Sequence, residues 1–220
     1  MEITAEMVRK LREETGAGMM DCKSALVEAK GDMEVAREVL RKKGLASAAR
    51  KAGRAANDGM VGTYIHPGAK VGVLLEVNCE TDFVAKTPDF QNLVKDVAMH
   101  IAAASPAAAL YVAKDEVPAD VIEKEKEIYK AQAAAAGKPP TVVDKIAEGT
   151  VKEYYSTFCL LEQPFVKDPK LTVGQLIQEK IALIKENIVV RRFARFRVGE
   201  ETAARGASGD PAAPAAVASE

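Results

Sequence analysis

KVGVLLEVNCETDFVAK, residues 70–86, reads in two halves. A mainly aliphatic stretch runs from Val71 to Val77, then gives way at Asn78 to a polar, acidic turn. In the middle of that turn stands Phe83, where a chain that needed only a loop would carry Gly, Asn or Ser. The first half decides the fold. Upstream, MVGTYIH (60–66) is a second strand-like run, and Pro67-Gly68-Ala69 between the two runs is a turn signal. Residues 60–66 and 70–79 are therefore predicted to form an antiparallel hairpin. A third strand is predicted in NIVVRRFARFRV (187–198), where Ile188, Val190, Ala194, Phe196 and Val198 fall on one face. Leu74 and Leu75 point opposite ways, as do Val189 and Val190, so the sheet needs cover on both sides.

Helical patterns surround these strands: 89–104, 119–136, 142 to about 155, and 173–185. Gly137-Lys138-Pro139-Pro140 joins the middle two by a short loop, which implies an antiparallel helical hairpin, and its scarcity of large apolar residues suggests that it projects from the body. Ahead of the strands lie three short helices. Ile3-Thr4 reads as N′ and N-cap of the first, with Ile3 able to staple onto Val8, and Gly16 ends it; the second ends at Gly31; Asp32 caps the third, predicted to end at Gly44. The fold class is α+β. Its expected organisation is a three-helix docking domain (1–44), a basic linker (45–58), an α+β core (59–199) with a helical hairpin at about 119–155, and a tail (200–220). With Val217 as its only bulky hydrophobe, that tail is expected to be disordered.

The 220 residues are 48% hydrophobic and 29% charged, enough for a proper core in one or two domains. A net charge of −1 supplies no global field, so electrostatic recognition must come from local patches. The densest is 37–54, with Arg37, Arg41, Lys42, Lys43, Arg50, Lys51 and Arg54 against Glu38 alone. It reads as a solvated helix face and linker or as the contact of an RNA- or ribosome-associated adaptor. No aromatics interleave and no nucleic-acid motif is present, so direct nucleic-acid binding is not expected. Cys22, Cys79 and Cys159 are too far apart and odd in number for a disulfide framework, and no stretch is long and apolar enough for a membrane span. MEITAEMVRK has no targeting character, so a cytoplasmic location is expected.

Catalysis finds little support. His66 and His100 accompany no recognisable nucleophile, and P-loop, GxGxxG and HExxH patterns are missing. The carboxylates of Glu80 and Asp82 beside Cys79 would raise a thiol pKa, the wrong direction for a nucleophile. No enzyme, cofactor or metal site is predicted. Met19 and Met20 open the second helix and are either bundle core or an adaptable docking surface, one buried and one exposed being the compromise.

The blocks TGAGMMDCKSAL (15–26), NCETDFVA (78–85), AMHIAA (98–103), EQPFVKDP (162–169) and TVGQL (172–176) occur in an order that resembles bacterial elongation factor Ts, over residues 1 to about 199. The resemblance implies a guanine-nucleotide exchange factor for the GTPase elongation factor Tu, with a ubiquitin-associated-like N-terminal domain and a coiled-coil projection at 119–155. One set of strands corresponds to the short form of the family, which implies a homodimer. The run Thr81, Asp82, Phe83 and Val84 is then the segment that enters elongation factor Tu near its Mg²⁺ site. Met19, Met20, His66 and His100 become docking candidates, and the ring of Phe83 is expected to be exposed instead of folded onto the core.

Overall fold

The computed structural model describes residues 3–103, 108–137 and 139–200, with the backbone alone at 140–147. The expected disorder of the tail falls on residues outside these, apart from Glu200. Among the described residues are eight helices, a three-stranded antiparallel sheet in the order β1-β2-β5 (β1 Asp58–Ile65, β2 Val71–Cys79, β5 Ile188–Arg197) and a two-stranded β3-β4 pair. The α+β reading holds. The chain divides into two compact units, one of residues 1–62, 75–97 and 174–192, the other of 63–74, 98–173 and 193 onward.

In the first unit, α1 (Ala5–Thr15), α2 (Met19–Glu28) and α3 (Met33–Lys51) form the N-terminal bundle. The side chain of Thr4 accepts the amide of Met7, and that of Asp32 accepts the amide of Val35, as the capping signals predict. Gly16 closes α1 in the left-handed conformation with φ 67. Val8, Leu11, Cys22, Ala25, Leu26, Ala29 and Ala36 are the core, with Ile3 packed against it. The predicted stop at Gly44 is wrong: α3 continues to Lys51, so the first part of the expected linker is helical. Gly44 serves a close approach instead, since a Cβ there would come within 3.1 Å of the Ala182 Cβ on α8 (Val173–Ile184). Gly62 in β1 plays the same part against Val94 of α5 (Pro88–Ala103), whose side chain occupies the space a Cβ would need. Leu75 and Val77 of β2, Phe90, Leu93, Val94 and Val97 of α5, and Ile177 and Ile181 of α8 are buried here.

In the second unit, α6 (Ala119–Ala135) and α7 (Pro140–Phe158) pair as the predicted helical hairpin. Tyr111, Val117, Ile122, Tyr154 and Cys159 form a small core at its base. The pair β3 (Pro164–Phe165) and β4 (Asp168–Thr172) has no counterpart in the sequence reading, because a two-residue strand that starts with Pro carries no alternation to detect. Of the residues expected on one face of the third strand, Ile188 and Val190 are buried, whereas Phe196, and Val198 just beyond β5, are exposed, as are Leu74 and Ile65. Among the described residues, none covers the sheet where those four side chains lie. All three cysteines are free and buried, and burial pushes the Cys159 thiol up to about 11.

Candidate functional site

The polar turn after β2 is a single helical turn, α4 (Asp82–Ala85). Thr81 is its N-cap, its hydroxyl accepting the amide of Val84, and the hydroxyl of Thr87 donates to the Val84 carbonyl at 2.7 Å to close the other end. So short a helix cannot hold itself in water. With both ends tied, Ala85 turns inward, Val84 is half-buried, and Phe83 stands 79% exposed. Asp82 and Lys86 pair at 2.7 Å along the exposed side, and the bond from Lys86 holds the Asp82 carboxyl below its usual range.

The turn is anchored by Glu186 and Asn187, the last two of the three residues between α8 and β5. The carboxylate of Glu186 accepts the amides of Glu80 and Thr81, each at 3.1 Å, and the hydroxyl of Thr81 at 2.7 Å. In return, the carboxylate of Glu80 accepts the amide of Asn187 at 2.7 Å, and the buried amide group of Asn187 donates to the Arg54 carbonyl at 2.8 Å. Glu186 thereby caps the backbone at Glu80 and Thr81, and Glu80 caps the backbone of the next residue after Glu186, across about a hundred residues of sequence. Lys185 adopts a left-handed φ of 69, an unusual choice for a side chain with a Cβ, and its ammonium reaches Asp21 at 3.2 Å. Cys79 donates to the Thr81 carbonyl at 3.1 Å, and its thiol is shifted upward, by burial first and by Glu186 second. The direction agrees with the sequence reading, while the carboxylate responsible is a distant one.

Met19 and Met20 are 45% and 75% exposed, so neither takes the buried half of the expected compromise. The inward stripe of α2 consists of Cys22, Ala25 and Leu26, one turn further on. His66 is exposed at the hairpin turn, its Nδ1 3.4 Å from the Tyr64 hydroxyl. His100, expected to join it as a docking residue, is instead 3% exposed. Its Nδ1 accepts the Val166 amide at 3.1 Å and its Nε2 donates to Gln163 Oε1 at 3.0 Å, while the Gln163 amide donates to the Thr157 carbonyl at 2.6 Å. Burial lowers its pKa, so the imidazole is an internal neutral connector. Three of the seven basic residues in the 37–54 stretch pair with acids from elsewhere, Arg37 with Glu14 and Glu34, Lys43 with Glu28 and Arg54 with Glu80, while Lys42 pairs with Glu38 inside it.

Residues 34–200 match the family model described as Elongation factor TS. The chain belongs to the elongation factor Ts family. It is 59% identical to the elongation factor Ts of Solibacter usitatus (strain Ellin6076), over 96% of this chain and 99% of that one. It is 62% identical to that of Geotalea daltonii (strain DSM 22248 / JCM 15807 / FRC-32), over 91% of both. With the elongation factor Ts of Geobacter sulfurreducens (strain ATCC 51573 / DSM 12127 / PCA) it shares 60% identity over 91% of both. As a member of the elongation factor Ts family the chain is a translation elongation factor, and among its described residues no helix is long and apolar enough to cross a membrane. Glu186 and Asn187 lie outside every block that carried the resemblance. Their only signal was a polar pair set between an apolar helix and an apolar strand.

Proposed function

We propose that this chain is the guanine-nucleotide exchange factor of elongation factor Tu, acting in the cytoplasm, and that Thr81, Asp82, Phe83 and Val84 are the segment that disturbs the partner's Mg²⁺ and phosphate site. The observation that carries the reading is Phe83, a large apolar ring exposed on a helical turn whose two ends are both fastened. A ring that served the core would be buried, and one in an idle loop would not be held. The side chains then divide the work. Thr81 caps and orients the turn, half-buried Val84 seats it, Asp82 offers a carboxylate beside the entering ring, and Phe83 enters. Exchange follows from binding the nucleotide-free partner more tightly, and by reciprocity nucleotide then weakens the factor as much as the factor weakens nucleotide.

Burial of one Phe is worth about 1.5–3 kcal/mol, whereas a 10⁴-fold change in nucleotide affinity needs about 5.5 kcal/mol, so further contacts must contribute. Met19 and Met20 on the N-terminal docking segment and His66 on the hairpin are assigned that part, all three being exposed. Buried His100 is not. The exposed side chains of Ile65, Leu74, Phe196 and Val198 support a second proposal, that the sheet meets the same sheet of a second copy to form a homodimer. Light scattering should then give two chains' mass under reducing conditions, and one chain's mass at micromolar concentration would exclude it.

Phe83→Ala tests the central reading. Release of labelled GDP from elongation factor Tu at saturating factor should slow, because the truncated ring contributes to the exchange-competent state, while the melting temperature stays near wild type. A variant that melts early by several degrees yet exchanges normally once folded would place the ring in the core and overturn the proposal.

A further inference from the structure

Nothing in the resemblance or in the exposed residues accounts for how a four-residue helix keeps one orientation while it is pushed into a partner. We infer that Glu186 is the positioning residue of the Phe83 turn, and that Lys185, Glu186 and Asn187 together form a clasp holding that turn in fixed relation to the N-terminal bundle. The inference rests on the reading of 81–84 as the segment that enters elongation factor Tu.

Three observations lead to it. The half-buried Glu186 carboxylate takes all three donors at the entrance to α4, namely the amides of Glu80 and Thr81 and the Thr81 hydroxyl. The same hydroxyl caps the Val84 amide, so any movement of the carboxylate is passed directly to the helix that displays Phe83. The neighbours of Glu186 reach elsewhere. Lys185 contacts Asp21, two residues from Met19, and Asn187 grips the carbonyls of Ala52 and Arg54 just beyond α3. One tripeptide thus touches the turn, the methionine-bearing helix and the end of the bundle. The left-handed Lys185 sends the chain in this direction once α8 has ended. Such backbone strain in a residue with a Cβ persists only where its surroundings impose it.

A carboxylate suits the task because it offers only acceptors to a cluster of donors. In Glu186→Gln the amide oxygen can keep the two backbone bonds, and the NH₂ can donate to the Thr81 hydroxyl, which turns its own hydrogen away. In Glu186→Ala all three donors lose their acceptor and the turn is left to its own weak propensity.

The test uses full-length variants in the labelled-GDP release assay, titrated to saturation. Glu186→Ala should slow the saturated rate roughly fivefold to tenfold with an unchanged half-saturating concentration, since Met19 and Met20 still dock. Glu186→Gln should recover most of the rate. In a Phe83→Ala background, Glu186→Ala should add clearly less loss than it causes alone, because the ring is no longer there to misplace and only Asp82 and Val84 remain on the turn; an undiminished loss would overturn the positioning role. A Glu186→Ala factor that saturates at the wild-type rate, alongside a slow Phe83→Ala factor, would overturn the positioning role and leave the wedge intact. A Phe83→Ala factor at the wild-type rate would instead remove the wedge reading itself, and this inference with it. If Glu186→Ala does not fold, Thr81→Val carries the same test: it deletes the hydroxyl alone and should slow the saturated rate by a smaller factor, and no slowing would overturn the role.

Discussion

Two polar networks fasten distant parts of this chain, one in each unit, and they end differently. Glu186 reaches back 106 residues to Glu80, and its last member carries an exposed phenylalanine. His100 reaches forward 63 residues to Gln163, and every side chain it engages is itself buried. Both networks run through sequence blocks that carry the family resemblance, yet the first presents something to the outside and the second only joins α5 to β3 and the end of α7. A histidine in such a block invites a functional reading. Its environment decides between display and support, and a closed network supports.

The comparison breaks most readily at His100. His100→Ala leaves the Val166 amide and the Gln163 oxygen without partners inside the protein, at a cost of about 3 kcal/mol, or a melting temperature lower by roughly 5–10 °C. Its saturated exchange rate should match wild type at temperatures where it is folded; a normal melt with slow exchange would reverse the roles assigned to the two networks. Truncating Met19 and Met20 together sharpens the displayed side. The half-saturating concentration of factor in GDP release should rise roughly tenfold with little change in saturated rate or melting, and an unaltered titration would remove both residues from the docking surface.

A smaller effect appears with acid. The unfolded His100 takes up a proton near the ordinary value of 6.5, whereas burial lowers its folded pKa. The unfolded state therefore binds more protons below about pH 6.5, and the stability contributed by neutral His100 is complete above that pH and drains away as pH falls towards the folded pKa. The drop in melting temperature between pH 7 and pH 5 should be larger for wild type than for His100→Gln; equal drops would mean that the imidazole is not held neutral. The smallest effect belongs to the exposed Asp82–Lys86 pair: Lys86→Gln should shift the melting temperature by no more than ~1 °C. A larger shift in a calorimetric melt would mean that α4 depends on its surface pair as well as on Glu186.

What could be read from the residues was whatever their near neighbours settle. Thr4 and Asp32 cap helices because the amides they accept lie three residues away, and Gly16 ends α1 because a left-handed residue suits glycine. The hairpin, the helices of the second half and the polar turn around Phe83 follow from local pattern in the same way, and the order of the signature blocks added the family. Tertiary structure alone decided the rest. Gly44 looked like a stop and is a contact with Ala182; His100 looked available and is enclosed; Glu80 was read only as a neighbour of Cys79, yet its amide is capped by Glu186 and its carboxylate caps the amide of Asn187. In each case the partner that fixes the residue's role lies some sixty to a hundred and forty positions away, and a hydrogen bond or close approach depends on distance in space, which sequence separation does not encode.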